Sequence, residues 1–142
     1  MVQIIAGEKG KGKTSFLLDK ANEDIKTAEG SVVYLDKSTK HMYELSNRIR
    51  LINVKDFPVS GAEGLIAFIS GIISQDRDLQ IMYVDSFLKL VGLEDKDASE
   101  MAPILADMEA LSEKYGINMV LSISVDGSVI PDDFKKNIIA AL

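Results

Sequence analysis

Short apolar runs alternate along the chain with stretches whose apolar positions recur every three or four residues. Val2 to Ala6 is a β-rich run that stops at Gly7, which predicts a strand and then a loop. From Thr14, the residues Phe16, Leu17, Lys20, Ala21, Asp24 and Ile25 have the spacing of a half-buried helix, and Gly30 is placed to end it near Glu29. Ser31 to Leu35 reads as a second, mostly buried strand. His41 to Arg48 fits a short helix with Met42, Leu45 and Ile49 on one face. Leu51 to Val54 predicts a brief strand closed by Asp56-Phe57-Pro58, and Glu63 to Ser74 predicts an apolar helix or a pair of turns.

Ile81 to Val84 predicts a fourth strand ending at Asp85. Between Asp97 and Tyr115 the residues Ile104, Met108, Leu111 and Tyr115 form one helical stripe. Pro103 is poorly tolerated inside a helix, so the regular helix is expected to start near it. The acidic run Glu94-Asp95-Lys96-Asp97 reads as a solvated loop ahead of that helix. Met119 to Val125 predicts a fifth strand, and Asp132 to Leu142 a closing amphipathic helix. Strands that alternate with helices and read as continuous apolar runs imply a mainly parallel, five-stranded sheet covered on both faces, a three-layer α/β/α fold. No linker-like stretch or internal repeat interrupts it, so residues 1–142 are expected to form a single domain.

Composition narrows the function classes. The 142 residues are 46% apolar and 27% charged, which suits one globule with a real core. With 16 Lys and Arg against 22 Asp and Glu the net charge is -6, which argues against backbone-driven binding to nucleic acid or to an anionic membrane. Any anion must be held locally. The absence of cysteine excludes disulfides, thiolate metal sites and cysteine nucleophiles, and His41 is the single histidine. The longest apolar stretch is too short to span a bilayer and the first residues have no signal-peptide character, so a cytoplasmic location is expected.

Local anion binding has an obvious candidate. Gly7-Glu8-Lys9-Gly10-Lys11-Gly12-Lys13-Thr14, with Ser15 after it, matches GxxxxGK[ST], the Walker A loop, between a predicted strand and a predicted helix. Glycines let the backbone wrap phosphates with its N–H groups pointing inward, and the helix start adds partial positive charge. Lys13 would reach the β- and γ-phosphates and the Thr14 hydroxyl would ligate magnesium. Lys9, Lys11 and Lys13 gather positive charge in an acidic chain. A second acid is expected at the end of an apolar strand, and Ile81-Met82-Tyr83-Val84-Asp85 supplies it as a Walker B pattern, giving Thr14 and Asp85 as metal-linked residues.

The run IMYVDSFLKL at Ile81 to Leu90 is similar to the Walker B strand of RecA-like P-loop ATPases, and SVVYLDKS, RLINVKDF and NMVLSISV follow the order of strands in that family. The resemblance implies that a strand lies between the two Walker strands, and that the second strand and the sensor strand end near the γ-phosphate. It also shows departures. The family usually carries a glutamate past the second strand, whereas here the residues are Asp36-Lys37-Ser38-Thr39. Asp36 is the only local carboxylate able to act as a base, the other reading being a solvated strand end. Ser124 could bond a phosphate or water, or be a plain strand serine.

The arginines are Arg48, Arg50 and Arg77, none of them after the sensor strand, where Lys135 and Lys136 are the only basic residues. Tyr43 beside His41 could stack on a base, although a partly buried aromatic is the simpler account, and Met42, Met101 and Met108 read as helical core. The leading expectation is therefore an ATP-Mg binding protein that hydrolyses slowly or with a partner or assembly, with Lys13 and Asp36 as catalytic candidates. Turnover stays open, since neither a catalytic glutamate nor an arginine finger is evident. A non-hydrolysing nucleotide switch or interaction module, with a sheet edge left for a partner, is the alternative. A small-molecule kinase or nucleotidyltransferase is the third reading, because VYLDKSTKHMYELSNRIR resembles the matching stretch of the bifunctional cobinamide kinase family.

Overall fold

The computed structural model describes residues 1–94 and 98–142. Among these, β1 (Val2–Ala6), β2 (Ser31–Asp36), β3 (Ile49–Asn53), β4 (Leu79–Val84), β5 (Asn118–Ile123) and β6 (Ile138–Ala141) form one sheet in the order β3-β2-β4-β5-β1-β6. Every pairing is parallel. Four helices are seen: α1 (Lys13–Asp24), α2 (Gly61–Gln75), α3 (Phe87–Leu90) and α4 (Met101–Tyr115). None is long and apolar enough to cross a membrane. β5 lies between β1 and β4, so a strand does separate the strand ahead of the glycine loop from the one ending at Asp85.

The pleat divides the strand residues between two cores, because alternate side chains leave opposite faces. Val33, Leu35, Met82, Val84, Met119 and Leu121 pack with Leu65 and Ile69 of α2 and with Met101, Leu105 and Met108 of α4. Val32, Tyr34, Ile81, Tyr83 and Val120 pack on the other face with Leu17, Leu18 and Ala21 of α1. Leu17, Leu65, Ile69 and Leu105 are fully buried, and each such side chain contributes about 1.5–3 kcal/mol.

The sheet has six strands rather than the five expected, and its last element is not a helix. Residues Asp132–Asn137 form a 3-10 turn, and Ile138–Ala141 continue as β6 along β1. Two contacts hold that course against a helix: Asn137 Nδ2 donates to the Val2 carbonyl at 2.7 Å, and Leu142 N donates to the Ala6 carbonyl at 2.8 Å. β6 thereby covers the edge of β1 that a five-stranded sheet would have left to a partner. The expected helix at 41–48 is only a 3-10 turn at Met42–Glu44, and Met42 is exposed, not core. Asn22 of α1 ties this segment down, donating to the Glu44 carbonyl and accepting from Ser46 N. In α4 the buried stripe is Met101, Leu105, Met108 and Ser112, while Tyr115 is exposed. Pro103 sits in the first turn, where its missing N–H has no intrahelical partner to lose. Of the acidic run at 94–97, only Glu94 is among the described residues.

Gly30 does not cap α1, which ends at Asp24. It fits under the start of β4: Gly30 N and Glu29 N both donate to Gln80 Oε1 at 2.9 Å, and a Cβ on Gly30 would stand 2.0 Å from the Asp78 carbonyl oxygen. That oxygen accepts from Ser31 N at 2.7 Å, so it cannot retreat without opening the start of β2. Gly30→Ala is expected to lower unfolding stability by about 1–3 kcal/mol, the usual cost of overpacking. A urea melt of the variant beside the parent protein measures it, and an unchanged midpoint would refute the account.

Candidate functional site

Parallel register brings the chemistry to one end of the sheet. Leu35 is level with Val84, Val84 with Leu121, and Ile5 with Ser122, so Asp36, Asp85 and Ser122 follow as neighbours at the carboxyl ends of β2, β4 and β5. By the period of two, all three share the parity of Tyr34, Tyr83 and Val120, whose side chains face α1. The glycine loop leaves β1 at the same end and feeds α1 on that face.

Asp85 is buried and held by three donors. Its Oδ1 accepts from Ser122 Oγ at 2.6 Å and from Ser86 N at 2.9 Å, and its Oδ2 accepts from Tyr34 Oη at 3.0 Å. Burial, and then the Asp85 carboxylate, push the Tyr34 phenol far above its ordinary value, so it remains a donor. Ser86 N is directed at both Asp85 and Ser122 because Ser86 adopts a left-handed conformation (φ 58°), which costs a non-glycine residue about 1 kcal/mol or more. With two lone-pair positions per oxygen, Oδ1 is full and Oδ2 retains one free acceptor position.

In the glycine loop, Gly10 (φ 82°) and Gly12 (φ 90°) have the positive φ that turns successive N–H groups toward a common concavity. Gly12 is the N-cap of α1, and Phe16 N donates to its carbonyl at 3.0 Å. Lys13 folds back over the loop, its Nζ donating to the Glu8 carbonyl at 3.0 Å, and Lys11 N donates to the same carbonyl at 3.3 Å. Burial pulls the Lys13 ammonium below its ordinary value, and the Asp85 carboxylate opposes that shift. Gly7 is buried against the end of the chain, where a Cβ would lie 3.2 Å from Leu142 Cβ.

A cleft of about 300 Å³ opens over this row. Of the residues singled out in the sequence, Lys9, Gly10, Lys13, Thr14 and Asp85 line it, together with Ser124 just past β5. Gly7, Glu8, Lys11 and Gly12 shape the loop without lining the cleft, and Ser15 is exposed on the first turn of α1. Sequence reasoning missed Lys37, Ser86, Lys89, Glu94 and Ser122, which line the cleft as well. The parity of Ser122 with Asp85 was readable once the register was known; the lysines gave no motif signal. No protein-family model matches the chain, and no curated protein matches it. What the site can do therefore rests on its own chemistry: a basic, glycine-lined cavity with one oriented carboxylate can hold an anion together with a cation.

His41 and Tyr43 stand apart from the cleft. His41 Nδ1 contacts the Glu44 carboxylate, and Tyr43 is 92% exposed, so it is not the partly buried aromatic expected. Arg48, Arg50 and Arg77 do not line the cleft either, nor do Lys135 and Lys136.

Asp36 is 2% exposed, which rules out a solvated strand end. Its Oδ1 accepts from Lys37 N at 2.7 Å, and its Oδ2 is buried with no hydrogen-bond partner. Burial raises its carboxyl above the ordinary value; the Lys37 N–H opposes this and the Asp85 charge adds to it. A carboxyl whose folded value is raised destabilises the fold above that value, and the penalty disappears as falling pH protonates it in the folded and then in the unfolded chain. Asp36→Asn, which removes the buried charge and keeps the shape, is expected to stabilise the protein at pH 8. The gain should shrink toward pH 4. Denaturant melts across that range test this, and a loss of stability at pH 8 would show that the carboxylate is paired.

Proposed function

We propose that this chain binds ATP with magnesium on a RecA-like P-loop core and hydrolyses it slowly, or with help from a partner or an assembly. The observation that carries the reading is the shared cleft: Lys13 and Thr14 of the glycine loop and Asp85 of a strand two places away in the sheet line one cavity. A GxxxxGK[ST] sequence on a surface turn would have no such acid opposite it. The strand order, with β5 between β1 and β4, supports the same reading.

Magnesium keeps most of its waters and takes one or two protein oxygens beside substrate phosphates. The Thr14 hydroxyl and the one open acceptor position on Asp85 Oδ2 fit that demand, the first as a direct ligand and the second as acceptor for a metal-bound water. The ion would neutralise phosphate charge as it develops. Lys13 releases the Glu8 carbonyl to meet the phosphates, and the loop N–H groups bind their oxygens. Ser122, Ser86 and Tyr34 keep Asp85 aimed. Asp36 does not line the cleft, so the base named from the sequence is not in place to activate water, and binding has stronger support than turnover.

Calorimetric titration with magnesium and a non-hydrolysable ATP analogue should show binding that Lys13→Ala weakens about a hundredfold, the size of a lost charge-assisted contact. Asp85→Asn should still bind nucleotide in EDTA but lose the gain that magnesium brings. Phosphate release by the isolated protein should be slow. Failure of the parent protein to bind ATP or GTP would overturn the reading, and rapid magnesium-dependent turnover by a monomer would overturn its slow or assisted part.

A further inference from the structure

Four lysines line the cleft: Lys9 and Lys13 from the glycine loop, Lys37 just after β2, and Lys89 on α3. The nucleotide motif accounts for Lys13 alone. Glu94 lies on the same wall, with its carboxylate 2.6 Å from Lys9 Nζ. The hydrogen bond from Lys9 holds the Glu94 carboxyl below its ordinary value, and the charges of Lys89 and Lys37 pull the same way. Glu94 is thus ion-paired with Lys9 in a cleft to which Lys37 and Lys89 come from two other segments, in a chain whose net charge is -6. Asp85, the other acid of the cleft, accepts from Ser122, Ser86 and Tyr34, and its one open acceptor position is the one the nucleotide reading gives to magnesium's water.

We propose that Lys37 and Lys89 are the cations that meet the terminal phosphate of a nucleoside triphosphate, and that Glu94 is the carboxylate this phosphate displaces. The inference rests on the nucleotide reading above and assigns the tri- versus diphosphate specificity of that same site. A terminal phosphate brings more charge and more acceptor oxygens than a carboxylate, so it outcompetes Glu94 for the Lys9 ammonium while Lys37 and Lys89 meet its other oxygens. A diphosphate is held by the loop and Lys13 and leaves Glu94 paired with Lys9. The arrangement supplies from within one chain the extra cations that arginines would otherwise provide, since Arg48, Arg50 and Arg77 lie off the cleft. Lys89 is exposed and Lys37 half-buried, so neither is needed by the core.

Titration calorimetry of the full chain with magnesium, using ATPγS, ADP and inorganic tripolyphosphate as probes, tests this. The pair Lys37→Gln and Lys89→Gln should weaken ATPγS about tenfold or more and ADP by no more than about twofold. The charge-conserving pair Lys37→Arg and Lys89→Arg should keep the preference. Glu94→Gln should tighten ATPγS by about threefold to tenfold and leave ADP unchanged. Lys55→Gln with Lys114→Gln, both exposed and outside the cleft, removes the same charge and should alter neither nucleotide. Equal losses for ATPγS and ADP, a match between the cleft pair and the control pair, or an unchanged or weaker ATPγS affinity in Glu94→Gln would each overturn the proposal. If the parent protein binds neither nucleotide, the nucleotide reading fails by itself. Tripolyphosphate binding that depends on Lys37 and Lys89 would then keep the lysine assignment, and no binding would end both.

Discussion

The register of parallel strands is the constraint on which the rest of this structure depends. Once Leu35, Val84 and Leu121 are level, the next residues, Asp36, Asp85 and Ser122, stand side by side at one end of the sheet. A slip by one residue would turn all of them into the opposite core, among α2 and α4, where Asp85 would lose Tyr34 and Ser122 and lie unpaired in apolar packing. Burial of Val33, Leu35, Met82 and Val84 on that opposite face forbids such a slip. The apolar pattern thus aims the carboxylates without touching them.

That placement is costly in two local ways, and both costs fall at the cleft or next to it. Asp36 Oδ2 is buried without a partner, and Ser86 holds a left-handed backbone directly after Asp85. Neither arrangement is needed to close the sheet. Structure that is locally unfavourable and supported by its surroundings collects where a protein binds or reacts. The Ser86 conformation has a visible return, since it turns one N–H toward both Asp85 Oδ1 and Ser122 Oγ and fixes the acid that the glycine loop faces.

The elements with strong periodicity were legible in the sequence. β1 was read to the residue, and the GxxxxGK[ST] loop named in advance Lys9, Gly10, Lys13 and Thr14 as residues of one site. The misreadings share a cause: each segment is decided by a contact with distant chain. Asn137-Ile138-Ile139-Ala140 can lie on a helix as well as in a strand, and only the bonds to Val2 and Ala6 decide. The turn at Met42–Glu44 is set by Asn22, and Gly30 by the main chain at Asp78. Helical spacing found Met108 of the α4 stripe but placed Leu111 where Ser112, a polar residue, is the buried one. Lys37, Lys89 and Glu94 belong to no motif, and only the fold brings them to one cavity.

The electrostatics of the cleft follow from this contrast between local motif and distant assembly. A glycine loop by itself binds phosphate through N–H groups and one lysine, which treats a diphosphate and a triphosphate much alike. Discrimination would require charge beyond the loop, and the cleft has such charge in Lys37 from the end of β2 and Lys89 from α3, elements that flank the loop only because β2, β4 and β5 are in register. Glu94, ion-paired with Lys9, brings a compensating charge into the same cleft. On the proposed reading Glu94 is also the group that an incoming terminal phosphate has to outcompete for Lys9, so this one ion pair bears on the selectivity of the cleft.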